Sequence, residues 1–89
     1  MGRVDNRNLS GIEVRIMPFD TDRHKGAHLH AYCSGQKATI AIETGEVLDG
    51  TIHPAKMRIL SKWMKKHKEA LLKNWELAKS GKPTFRIKD

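Results

Sequence analysis

The chain has 89 residues, of which 38% are hydrophobic and 30% charged, with one cysteine and a formal net charge of +7. A chain of this length and composition folds as one small domain, which excludes multidomain enzymes, disordered proteins and disulfide-stabilised folds. No apolar run approaches the roughly 20 residues of a membrane-spanning helix. We therefore expect a cytoplasmic protein, since the polar N-terminus also lacks the apolar segment of a signal peptide.

The positive charge lies in the C-terminal part of the chain. Residues 1–52 carry six Lys/Arg against seven Asp/Glu, a net charge of −1, whereas residues 53–89 carry eleven against three, a net charge of +8. This asymmetry favours an anionic partner, although a lysine-rich helix is also explained as a solvated face.

The first strand is predicted close to the N-terminus. Residues 1–10 are polar and show no apolar period, which predicts a flexible arm. Residues 11–17 alternate between apolar and polar side chains, as in a strand with one buried face, and Pro18 ends the alternation. The polar loop that follows holds three side chains able to bind a metal ion: Asp20, Asp22 and His24.

Residues 27–42 predict two antiparallel strands joined by a turn at Ser34 and Gly35. Folding the strands together gives these pairs: Tyr32 with Lys37, His30 with Thr39, and Leu29 with Ile40. One face is then apolar: Leu29, Ala31, Cys33, Ala38, Ile40 and Ile42. The other is polar and is expected to be exposed: His28, His30, Tyr32, Lys37 and Thr39. A register slip of one residue would mix the two faces, so the pairing is strongly specified.

The second half of the chain predicts a short strand and then helix. A turn at residues 44–45 precedes a strand that Gly50 ends. Residues 54–80 place apolar side chains at spacings of three and four, which predicts an amphipathic helical segment. A straight helix of this length would be about 40 Å long, so we expect a break near residues 66–68. Residues 84–88 alternate again and predict a last strand or a strap over the core.

Together these elements predict an α+β fold. A small antiparallel sheet of three to five strands, over residues 11–50, is covered on its apolar face by a long or broken helical segment over residues 54–80. The C-terminal strand or strap over residues 84–88 completes a single domain over residues 11–89.

His28 and His30 are the strongest candidates for chemistry. On one face of a strand they start about 7 Å apart, close enough to share a phosphate, a proton transfer or a metal ion. As acid and base they would act on a phosphodiester, with Lys37 or Arg15 stabilising the developing negative charge. A metal site would need a third ligand, for which the candidates are His24, Asp20, Asp22 and His53. A structural or partner-facing role needs none.

A basic helix face is the candidate for binding nucleic acid. Its cations are Arg58, Lys62, Lys65, Lys66 and Lys73. The sheet would add Arg15, Tyr32 and Lys37 to the binding residues. Trp63 and Trp75 fall on or beside the apolar stripe of the helix and are interpreted as core anchors. His67 on that stripe and Cys33 on the apolar sheet face are likewise interpreted as core residues.

Three motifs carry a resemblance to a known family. They are H-L-H-A-Y at His28–Tyr32, I-E-T-G-E-V-L-D-G at Ile42–Gly50, and W-M-K-K-H-K-E-A-L-L-K-N-W-E-L-A at Trp63–Ala78. With these motifs in this order, residues 11–89 resemble the bacterial family called domain of unknown function 4160. Family members carry H-F-H-A, usually after a proline pair, where this chain has K-G-A-H-L-H-A. The positions marked as shared are His28, His30, Trp63, His67, Asn74 and Trp75.

The resemblance implies no established activity. Genes of this family often lie beside another small uncharacterised domain, in arrangements that look like toxin–antitoxin pairs. The resemblance therefore implies that this protein is one half of such a pair.

Two classes of function are consistent with these features. The first is a toxin–antitoxin-type interaction or regulatory module, whose exposed sheet face with His28, His30 and Tyr32 meets a partner protein and whose basic helix face meets nucleic acid. The second is a small ribonuclease-like enzyme that uses His28 and His30 as acid and base, or a metal-binding domain. We expect no cofactor and no membrane partner, and exposed strand edges are compatible with a homo-oligomer.

Overall fold

The structure, a computed structural model, describes Leu9, residues 11–16 and residues 26–87. Four antiparallel strands form one sheet in chain order, followed by two helices. The strands are β1 (Glu13–Arg15), β2 (His28–Cys33), β3 (Gln36–Ala41) and β4 (Val47–Thr51), and the helices are α1 (Pro54–Lys66) and α2 (Lys68–Lys79). The predicted α+β fold is confirmed.

The hairpin of β2 and β3 has the predicted register. Tyr32 lies opposite Lys37, His30 opposite Thr39, and Leu29 opposite Ile40. The turn residues Ser34 and Gly35 both have positive φ angles, 49° and 79°. Two successive left-handed residues give the twist that a two-residue hairpin needs, so local backbone geometry and face sorting specify the same pairing.

The pairing of β3 with β4 contains a bulge. Ile40 lies opposite Val47 while Thr39 lies opposite Asp49, so Leu48 is an extra residue on β4. The strand then continues through Gly50, where the sequence predicted its end. Gly50 has a φ of 72°, and a Cβ atom there would lie 2.2 Å from the carbonyl oxygen of Lys37. Only glycine allows β4 to approach β3 this closely in this conformation.

The helical segment is broken into two helices at His67. His67 has φ −115° and ψ 26°, which ends α1 and begins α2, and the predicted break is confirmed. The longest dimension of the domain is 33 Å, whereas one straight helix over the whole segment would be about 40 Å long. Upstream, Pro54 occupies the first turn of α1, and Nδ1 of His53 accepts a hydrogen bond from the Ala55 N–H at 3.1 Å.

One core cluster joins the sheet to both helices. Its sheet residues include Val14, Leu29, Ala31 and Ile40, which are at most 1% exposed. Its helix residues are Leu60, Trp63, Met64, Leu71, Trp75 and Ala78. Leu9, in the predicted arm, is 5% exposed and belongs to this cluster, while the remainder of that arm lies outside the described residues.

The segment after α2 is held against that helix by one buried amide. Asn74 is fully buried; its Nδ2 donates to the carbonyl oxygen of Phe85 at 3.0 Å, and its Oδ1 accepts from the Phe85 N–H at 2.9 Å. Ile87 is 3% exposed and belongs to the core. Residues 82–87 form no strand. We call these six residues the strap.

We expect Gly50→Ala to lower the free energy of unfolding by about 3 kcal/mol or more, because a left-handed non-glycine residue and a backbone clash both act there. Gly45→Ala is the matched control. Gly45 has a φ of 77°, but a Cβ atom added there would have no other atom within 4 Å, so only the conformational cost of about 1–2 kcal/mol applies. Urea unfolding of both variants measures the difference, and equal losses would contradict the close approach of β3 and β4.

We expect Asn74→Ala to lower the free energy of unfolding by about 2–4 kcal/mol, because it empties a fully buried site and both backbone groups of Phe85 lose their partner. Amide hydrogen exchange of Phe85 should accelerate in the same variant. Lys73→Ala, at the exposed neighbouring position, should change neither quantity appreciably. Unchanged exchange at Phe85 in Asn74→Ala would show that the strap is held by other contacts.

Candidate functional site

His28 lies at the start of β2 and is fully buried. Its Nδ1 lies 2.8 Å from the carbonyl oxygen of Gly26 and donates to it, since a carbonyl can only accept. Its ring centroid lies 4.8 Å from that of Trp75 on α2. The imidazole is therefore held by a backbone hydrogen bond on one side and by a core aromatic ring on another.

His30 is also buried, at 7% exposure. Its Nδ1 lies 3.3 Å from the hydroxyl oxygen of its cross-strand partner Thr39, which is 3% exposed. The rings of His28 and His30 meet edge to face with centroids 5.6 Å apart. The predicted proximity of the two imidazoles is therefore observed, and both are engaged in internal contacts.

The prediction that the His/Tyr sheet face is exposed is wrong. His28, His30 and Thr39 are buried, Tyr32 is half-buried, and only Lys37 is exposed. At His28 the cause is visible: Trp75 of α2 packs against its ring, so the helical layer contacts this side of β2 at that residue. Acid–base chemistry at His28 and His30 would require accessible rings without structural hydrogen bonds, and neither ring meets both conditions.

The metal-binding interpretation stays a prediction. Among residues 9, 11–16 and 26–87, no three His, Cys, Asp or Glu side chains are grouped so that they could hold a metal ion. Three of the suggested third ligands, His24, Asp20 and Asp22, lie outside the described residues. The fourth, His53, is exposed, and its Nδ1 caps α1 by accepting the hydrogen bond of the Ala55 N–H.

The remaining sheet candidates lie in two neighbouring cross-strand rows. Tyr32 is flanked by Glu13 on β1 and Lys37 on β3, and Arg15 lies opposite His30. The guanidinium of Arg15 pairs with the carboxylate of Glu13. Arg15, Tyr32 and Lys37 thus share one sheet face, but an acidic side chain lies among them and reduces the positive potential there.

The basic residues predicted on the helix fall into two different settings. Four are exposed on α1: Arg58, Lys62, Lys65 and Lys66. We call these four residues the basic α1 face. Between residues 54 and 66 there is no acidic side chain. Lys73 is also exposed, but it lies on α2 between Glu69 and Glu76, which are four residues before it and three after.

A groove that the sequence did not predict separates the β3–β4 turn from the helices. It has a volume of about 430 Å³ and is lined by Ile42, Glu43, Thr44, Gly45, Ser61, Met64, Lys65 and Lys68. Of these residues, sequence reasoning identifies only Lys65 as a candidate. It misses the others because the groove depends on how the turn and the helix break pack together, which no local pattern encodes.

The family-shared positions outside the sheet have structural roles here. Trp63 and Trp75 are core residues at 4% and 7% exposure. His67 forms the helix break, with its ring centroid 5.5 Å from that of Trp63, and Asn74 holds the strap. Nε1 of Trp63 is buried and has no hydrogen-bond partner among the described residues.

Comparison with known proteins gives one family match. The model of a family described as a domain of unknown function, DUF4160, matches residues 11–76. No curated protein and no solved structure matches the chain. Within the described part of the chain, neither helix has the length and hydropathy needed to cross a membrane.

We expect His28→Ala to lower the free energy of unfolding by about 2–4 kcal/mol, since it removes the ring packed on Trp75 and the donor to Gly26. His28→Phe keeps a ring of similar size and should lose only about 1–2 kcal/mol, because the Gly26 carbonyl is left without its donor. Thermal and urea unfolding measure both. Full stability of His28→Ala would contradict a structural role for this histidine.

Proposed function

The chain belongs to the DUF4160 family, and we propose that it is a small regulatory module that binds the phosphate backbone of nucleic acid through the basic α1 face. The observation that carries the proposal is the composition of α1, which holds five basic residues and no acidic residue among 13. Nucleic-acid-binding surfaces owe most of their affinity to such one-signed clusters.

The contrast with α2 argues against a merely solvated face. A helix face that serves solubility mixes both signs of charge. α2 follows that rule, with three lysines interspersed with Glu69 and Glu76. α1 departs from it although both helices belong to one small domain, so its positive potential is not neutralised along its own length.

The spacing of the basic α1 face suits a phosphate backbone. Arg58, Lys62 and Lys66 follow one another at intervals of four, and Lys65 lies beside them, so the cations share one side of the helix. From Arg58 to Lys66 the helix rises about 12 Å. This length lets several cations reach successive phosphates of one nucleic-acid groove at the same time.

The same helix offers little for reading bases. Its tryptophan, Trp63, is 4% exposed and packs in the core, so it cannot stack on a base. We therefore propose binding that depends on phosphate contacts, with weak sequence preference and strong dependence on salt.

The regulatory setting that we propose is a toxin–antitoxin pair, which the family resemblance implies and with which a nucleic-acid-binding face is compatible. The sheet face around His28 and His30 is not part of this proposal, because both rings are buried. A hydrolytic function of the same two histidines is not proposed, for the same reason.

We expect the protein to bind mixed-sequence DNA and RNA duplexes, with affinity falling about a hundredfold as salt rises from about 50 to about 200 mM, as for about four phosphate contacts. In Lys62→Gln/Lys65→Gln, the plot of log affinity against log salt should become shallower, with the magnitude of its negative slope reduced by about 2. Fluorescence anisotropy across a salt series measures both quantities.

The matched control is Lys79→Gln/Lys82→Gln, which removes the same charge from exposed positions at the end of α2 and just beyond it. Its slope should change much less than that of the α1 variant. Equal effects of the two pairs of substitutions would mean that binding depends on net charge and not on the basic α1 face, which would contradict the proposal. Absence of binding at low salt would refute it as well.

A further inference from the structure

We propose that the groove between the β3–β4 turn and the helix break binds a nucleoside monophosphate, either free or as the phosphorylated end of a nucleic-acid strand. The site is separate from the basic α1 face and shares only Lys65 with it. Its volume of about 430 Å³ lies in the range of small-molecule sites, about 300–1,000 Å³.

One wall of the groove is cationic. Lys65 lies at the end of α1 and Lys68 begins α2, so the two lysines border the groove on either side of the break at His67. Both are exposed, and neither side chain makes a hydrogen bond or ion pair with the described part of the chain. Two ammonium groups beside one groove provide the charge-assisted donors that a phosphate monoester needs.

The other wall offers groups of opposite character. The carboxylate of Glu43 accepts hydrogen bonds, and the hydroxyl of Thr44 already accepts one from the Glu46 N–H at 3.2 Å, which leaves its own hydrogen to donate. A ligand that spans the groove therefore presents an anion to the lysines and a hydrogen-bond donor to Glu43. A free phosphate ion satisfies the first condition only.

The floor of the groove is apolar. Ile42 and Met64 line it while remaining 3% and 4% exposed, so they are fixed by the core beneath them. They provide a small apolar surface for one edge of a sugar or base. The two lysines for a phosphate, the Glu43 carboxylate for the N–H donors of a base, and this apolar surface are together the groups that a nucleoside monophosphate would engage.

The test is a titration of the full chain with AMP, followed by NMR at the amides of Gly45 and Ser61, with inorganic phosphate and adenosine as partial ligands. AMP should shift both amides and bind at least about tenfold more tightly than either partial ligand, because each engages only one wall. Shifts confined to other regions, or equal affinity of AMP and inorganic phosphate, would overturn the proposal.

Lys68→Gln should weaken AMP binding about tenfold, as loss of a charge-assisted hydrogen bond does. Lys73→Gln, an equal loss of charge at an exposed α2 position outside the groove, should weaken it less than about twofold. Equal weakening by the two variants would overturn the site, and thermal unfolding confirms that both are folded.

The source of the ligand is decided by comparing AMP with a trinucleotide that carries a 5′ phosphate. Tighter binding of the trinucleotide assigns the groove to strand ends, and tighter binding of AMP assigns it to free nucleotide; either result supports the site. Duplexes without terminal phosphates should bind Lys68→Gln nearly as well as the unsubstituted chain. If the unsubstituted chain binds AMP but no duplex, only the function proposed for α1 is refuted. If it binds duplexes but no AMP, only the proposal for the groove is refuted.

Discussion

β2 is buried on both faces, and this constraint governs the polar residues of the sheet. Leu29 and Ala31 are fully buried on one side, while His28 and His30 are buried on the other. Buried polar groups destabilise a fold unless they are hydrogen-bonded. The Gly26 carbonyl and the Thr39 hydroxyl provide these partners, so the two histidines help to specify the hairpin instead of facing solvent.

The second helix connects this strand to the end of the chain. Trp75 packs against His28, while the preceding residue, Asn74, binds both backbone groups of Phe85. Adjacent helical positions point about 100° apart, so one turn of α2 contacts the sheet and the strap at once. The break at His67 separates this helix from α1. The four residues of the basic α1 face lie on the exposed side of α1.

The sequence was sufficient where local rules restrict the alternatives, and insufficient where packing decides. The β2–β3 register followed from alternation and a two-residue turn. The helix break followed from the length of the segment relative to the sheet and from the exposed position that a straight helix would give Leu72. The burial of His28 could not be predicted, because alternation sorts side chains by polarity and does not say what covers each face. The bulge at Leu48 could not be predicted from the local sequence. Gly50 there suggests the end of a strand, and only its close approach to Lys37 in the folded chain shows that β4 continues. The groove beside Lys65 and Lys68 required the tertiary position of the turn.

The separation of charge between the two halves of the chain has a kinetic consequence. Residues 1–52 have a net charge of −1 and residues 53–89 a net charge of +8, so the positive charge is concentrated in the half of the chain that forms the two helices. In the field of a polyanion, such a molecule is rotated before contact, which raises the fraction of productive encounters and makes the association rate fall with ionic strength. In the nucleic-acid binding that we propose, a helix without acidic residues would orient the protein during diffusion, before any individual phosphate is bound.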